Sequence, residues 1–148
     1  MIRAFTTGFV LLLSALLLSG CQTLLKRDQQ KALEQALRSY ETAIRWSYIR
    51  QAYGFLRPEK AKKVKIPTDL ENIRVTNYEI LEPATGNADA VMQVALIRFV
   101  EKDRQQERTL TDRQLWEYDI EDKRWYLMSN IPVFVAPPKI RTSPLGGR

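Results

Sequence analysis

Apolar residues recur at three- and four-residue steps from Asp28 to Tyr53, and from Ile73 onward they alternate or cluster in short runs. This change of period restricts the chain to one class of fold. In the first segment Leu33, Leu37, Tyr40, Ile44, Ser47 and Tyr48 form a single stripe. Glu34 with Arg38, and Glu41 with Arg45, are i,i+4 acid-to-base pairs in the favourable order on the outer face. Gly54 is placed as the C-cap, so the spacing predicts one long helix over 28–53. Pro58 then sits at the first position of a short second helix, inside a basic cluster of Arg57, Lys60, Lys62, Lys63 and Lys65.

Four strands are expected after Pro67 and Asp69: Ile73 to Leu81, Ala90 to Glu101, Glu107 to Asp119 and Arg124 to Ile131. The connections between them are short and polar, with a turn through Pro83 to Asn87, a charged loop over Lys102 to Gln106 and a turn at Ile120 to Lys123. Such connections join antiparallel neighbours, so the strands form a meander. The second strand carries Val91, Ala95, Ile97 and Phe99 on one face and Met92, Val94 and Leu96 on the other. Two apolar faces call for two covers. On the third strand Leu110, Trp116 and Tyr118 share a face with Arg108, Asp112 and Gln114. The fourth sets Trp125 and Leu127 against Tyr126 and Met128. The expected fold is α+β: a long N-terminal helix and a short second helix packed on a four-stranded, antiparallel, curved β-meander.

Ahead of the helix, Arg3 is followed by an apolar run from Phe9 to Leu18 and then by Leu18-Ser19-Gly20-Cys21. This is the layout of a cleavable export signal. Its last four residues resemble the bacterial lipobox at every position. That resemblance implies removal of residues 1–20 and acylation of Cys21, with membrane lipid as its partner and palmitate among the attached chains. Two or more acyl chains hold a protein at a bilayer stably, whereas one is marginal. Gln22 follows the lipid site where Asp marks inner-membrane retention in well-studied relatives, so the outer membrane, facing the periplasm, is the expected location. Residues 21–27 form a tether, 28–135 one α+β domain, and the Pro- and Gly-rich residues 136–148 a flexible tail. The tether Gln22 to Arg27 spans at most roughly 20 Å, which keeps the domain near the bilayer.

With helix first and meander after, the domain resembles the nuclear transport factor two-like, cone-shaped α+β superfamily. Asp112 to Asp119, followed by Arg124 to Leu127 and Pro132, is also similar to the C-terminal half of small proteobacterial envelope lipoproteins. The two apolar faces of the second strand call for a protein partner on the sheet, a second copy of the chain or another envelope protein, and the first resemblance implies a homodimer through the outer sheet surface. It also implies an interior where relatives with activity keep an Asp/His or Asp/Tyr set.

The residue inventory narrows the chemistry. The chain has no His, and its single Cys is the lipid site. The usual general base, the Cys nucleophile, the commonest metal ligands and any intramolecular disulfide are therefore lost. Neither a Gly-rich phosphate loop nor a nucleophile elbow occurs. A formal charge of +6 invites nucleic acid, but an exported chain meets none, and its basic residues alternate with acidic ones. No cofactor, metal or catalytic residue is expected. One set stays open to two readings. Tyr40, Asp112, Trp116 and Tyr118 either line a ligand pocket between helix and sheet, with Asp112 as a desolvated acid or base, or fill the core. In the second reading Asp112 pairs with Arg98, Arg108 or Arg113.

Overall fold

The computed structural model describes residues 26–134. The export signal, lipobox, Cys21, the first part of the tether and the Pro/Gly-rich tail lie outside the described residues. Helix α1 covers residues 26–45, followed by α2 (Ile49–Ala52), a 3-10 turn (Tyr53–Phe55), α3 (Pro58–Ala61) and a second 3-10 turn (Asp69–Asn72). The strands are β1 (Ile73–Gly86), β2 (Ala90–Glu101), β3 (Gln106–Asp119) and β4 (Arg124–Leu127). They lie in the order β1-β2-β3-β4, every pair antiparallel, in a curved open sheet on which α1 packs. This is the expected α+β meander.

Three local expectations are corrected. The helix over 28–53 is not continuous, because the chain breaks at Trp46–Ser47, where Ser47 takes a left-handed φ of 63°. That conformation costs a non-glycine residue of order 1 kcal/mol. It aims Ser47 Oγ at the sheet, where it accepts the Val75 backbone N–H at 2.9 Å. Tyr48 is consequently exposed, and Gly54 lies within the 3-10 turn instead of capping a helix. Strand β1 continues past Leu81 to Gly86, with three register shifts along its whole pairing with β2. The turn moves to Asn87, whose Oδ1 accepts the N–H groups of Asp89 and Ala90. A side chain at Gly86 would strike the Ala90 carbonyl. Strand β4 stops at Leu127 instead of Ile131, because Ile131 and Phe134 turn inward to cover the end of the sheet. Phe134 meets Phe99 edge-on at 5.3 Å.

One sheet face forms the core. Leu33, Tyr40 and Ile44 of α1, with Ile49, Leu56 and Leu70, meet Ile73, Val75, Tyr78, Val91, Ala95, Ile97, Phe99, Trp116, Trp125 and Leu127. The cross-strand pairs Val91↔Trp116, Ala95↔Asp112 and Trp116↔Leu127 set these residues on a common face, since directly opposed residues share a side. Among the described residues the other face lies outside this core. Val94 and Val100 are nonetheless buried, while Met92 is 54 % exposed.

Two members of the basic cluster brace the short β4. Arg57 ion-pairs with Asp119 at 3.0 Å and stacks over Tyr126 at 5.5 Å. Lys60 Nζ donates to the carbonyls of Met128 and Ser129. Lys62, Lys63 and Lys65 remain exposed.

Ile44 is fully buried in the helix–sheet interface, whereas Trp46, two residues later, is 68 % exposed. Ile44→Ala should cost about 2–5 kcal/mol, and Trp46→Ala should stay within about 0.5 kcal/mol. Urea denaturation of the two variants measures both, and equal losses would contradict this packing.

Candidate functional site

The four residues singled out from the sequence divide into a buried set and an outlier. Tyr40 comes from the middle of α1, while Asp112, Gln114 and Trp116 alternate along the inner face of β3. Tyr40 Oη donates to Asp112 Oδ2 at 3.0 Å, and Gln114 Nε2 donates to the same oxygen at 2.9 Å. Gln114 Nε2 also donates to Tyr78 Oη at 2.8 Å. Its Oε1 accepts from Trp116 Nε1 at 3.1 Å and, more distantly, from Gln93 Nε2 at 3.4 Å. The amide of Gln114 thus fills both donor and both acceptor positions. Its orientation follows from Trp116, since an indole N–H can only donate. Tyr118 lies further along β3, half-buried, with its ring 5.4 Å from that of Trp125.

Aromatic packing closes this set off from solvent. The rings of Tyr40, Phe55 and Trp116 meet pairwise edge to face at 5.5 to 5.8 Å. This is the arrangement that ring quadrupoles prefer. Tyr40, Gln114 and Trp116 have no solvent exposure, and Asp112 has 2 %. The expected arginine partners of Asp112 are not its partners. Arg98 and Arg113 project from the opposite sheet face and are exposed. Arg108 lies 3.2 Å from Glu101, close enough to attract but not aligned for a hydrogen bond.

Burial without a cation governs the ionisation of Asp112. Desolvation raises its pKa from 3.8 to about 6, and the hydrogen bonds from Tyr40 and Gln114 offset only part of that rise. Burial, with the adjacent Asp112 carboxyl, pushes the Tyr40 hydroxyl well above its usual range, so it remains a donor. Tyr78 is likewise pushed up by burial. A carboxyl with this pKa has the acidity of a general base. Asp112 lines none of three described clefts.

Those clefts are on the surface. One of about 310 Å³ is lined by Ser47, Tyr48, Arg50, Leu70 and Glu71. A second, of about 330 Å³, lies between α1 and the β3–β4 turn and includes Ala36, Phe55 and Lys123. A third, about 460 Å³, is bordered by Asp69, Glu71, Asn72, Glu101, Asp103 and Arg104. Despite its acidic rim, no group of three or more His, Cys, Asp or Glu among the described residues is placed to hold a metal. Sequence reasoning did not single out the three residues that complete the buried network, Tyr78, Gln93 and Gln114. Their inward position in an apolar alternation was the available signal. No family model, curated protein or solved structure matches the chain.

The raised pKa of Asp112 ties stability to pH. Because folding raises it, the stabilisation is complete below about pH 3.8 and is lost as pH rises through about 6. The loss amounts to about 3 kcal/mol. Asp112→Asn keeps an acceptor for Tyr40 and cannot ionise. Its stability relative to wild type should therefore rise by about that amount between pH 4 and 7. Parallel stability profiles from urea titrations would refute this. Gln114→Leu, which leaves four buried partners short of a bond, should cost of order 3 kcal/mol or more, read as a lower denaturation midpoint at unchanged slope.

Proposed function

We propose that the protein is an envelope lipoprotein, acylated at Cys21 and held at the outer membrane facing the periplasm, whose domain serves as a non-catalytic scaffold or interaction module. The filled helix–sheet interface is the observation that carries the non-catalytic part of this reading. A ligand-binding or enzymatic domain of this architecture needs an opening at Asp112. Instead Tyr40, Gln114 and Trp116 occupy that space, and the carboxyl is spent on two internal hydrogen bonds.

The membrane part rests on Leu18-Ser19-Gly20-Cys21 and on the apolar run before it. Among the described residues no helix is long and apolar enough to cross a membrane. Contacts with other proteins fall to the outer surface, where Met92 is exposed and Leu96 half-buried on the outer sheet face. A second copy of the chain or another envelope protein is the partner in this reading.

Two measurements test the proposal. Labelled palmitate should enter the wild-type chain in cells and fail to enter Cys21→Ala; equal labelling of both rejects the anchor. Native mass spectrometry of protein purified from the envelope should give a mass accounted for by acylated chain, alone or with a protein partner. A stoichiometric small molecule retained by the folded protein would favour a binder instead.

A further inference from the structure

Helix α1 has a second ordered face, opposite the core. At 100° per residue, Arg27, Lys31, Arg38 and Arg45 stay within about 40° of one line along the helix, and all four are exposed. Glu34 and Glu41 flank the row on one side only, Glu41 standing 3.9 Å from Arg45. The row therefore keeps a net positive charge.

It ends at the break after residue 45, where Trp46 is 68 % and Tyr48 57 % exposed. The sequence there is Arg45-Trp46-Ser47-Tyr48-Ile49-Arg50, aromatic side chains bracketed by arginines. Indole and phenol rings beside cationic side chains suit the headgroup level of a bilayer, where one end of the ring is apolar and the other wet. The row starts within a few residues of Cys21, and at 1.5 Å per residue α1 runs about 30 Å from there to Trp46.

We propose that α1 lies along the surface of an anionic phospholipid bilayer, with the basic row on the headgroups and Trp46 inserted as a second contact far from the acyl anchor. This rests on the lipoprotein reading. The alternative pose stands the domain upright on its tethered end. That end is identified by Gln29, whose side chain donates to Ala88 in the β1–β2 turn and whose carbonyl accepts from Trp125 after the β3–β4 turn. The two turns carry Asp89, Glu121 and Asp122 against Lys123, and the start of α1 beside them adds Lys26 and Arg27 against Asp28, leaving this end without a net positive charge to attract anionic lipid. Charge therefore selects the flat pose.

Trp46 is the only exposed tryptophan, since Trp116 and Trp125 are buried; its emission reports the pose directly. The acylated full chain is reconstituted in vesicles of mixed zwitterionic and anionic phospholipid with brominated acyl chains. Relative to vesicles of unbrominated lipid, emission should fall about twofold or more, and Trp46→Phe should abolish that loss. Lys31→Glu with Arg38→Glu should weaken it. A chain that floats with the vesicles while Trp46 stays unquenched overturns the flat pose and leaves the anchor standing. A chain that does not float overturns both. Undiminished quenching in the double charge reversal overturns the role of the basic row.

Discussion

The amide of Gln114 is the point on which the structure depends. It has no exposure to water, yet every hydrogen-bonding position it owns is used, by Asp112, Tyr78, Trp116 and Gln93. Through these partners it joins β1, β2 and β3, and through Asp112 it reaches Tyr40 on α1. A buried amide left unpaired is costly, so the network is stable only when complete. It also fixes register. A slip of one residue between β2 and β3 would carry Gln93 or Gln114 to the other sheet face and strand its partners. In a chain whose single cysteine rules out an internal disulfide, this network and the three interlocked rings of Tyr40, Phe55 and Trp116 do the work of a staple.

The same completeness limits what the interior can do. Asp112 has the environment that elsewhere prepares a carboxyl for proton transfer, namely burial and a raised pKa. Perturbed groups also occur in purely structural networks, and the distinction is access. Here two neighbours occupy the reactive oxygen, and aromatic rings close the approach. The surface offers features of another kind. The basic row of α1, the aromatic break after it and the outer sheet face are the features available there.

The edge of the sheet shows how side chains substitute for missing strand. β4 has only four residues. Beyond it the chain must leave the ladder so that Ile131 and Phe134 can fill the inner face. The carbonyls freed by this departure are taken up by Lys60, and Arg57 binds the outer corner through Asp119 and Tyr126. A cluster that reads in the sequence as one run of basic residues is thus divided. Lys60 takes up backbone carbonyls, Arg57 binds side chains at the corner, and the other three face water.

Periodicity determined the α+β class, the order of elements and the faces of β2, β3 and β4. Each of these follows from local geometry, a 3.6-residue or two-residue repeat that any segment obeys wherever it packs. The break at Ser47 was beyond that reach. A helical pattern runs through it, and only the unpaired N–H of Val75, distant in sequence, makes the left-handed turn worth its strain. The partner of Asp112 was equally hidden. Three arginines near it in sequence were plausible, but pleating points two of them to the opposite face and Glu101 holds the third. Tyr40, seventy-two residues earlier, reaches it only once helix and sheet are docked. Local repeats set which residues of α1 and of the strands turn inward. Which polar groups meet there, and whether they leave a cavity, was decided by tertiary packing, because hydrogen-bond pairing and void volume depend on distances between elements that no local repeat encodes.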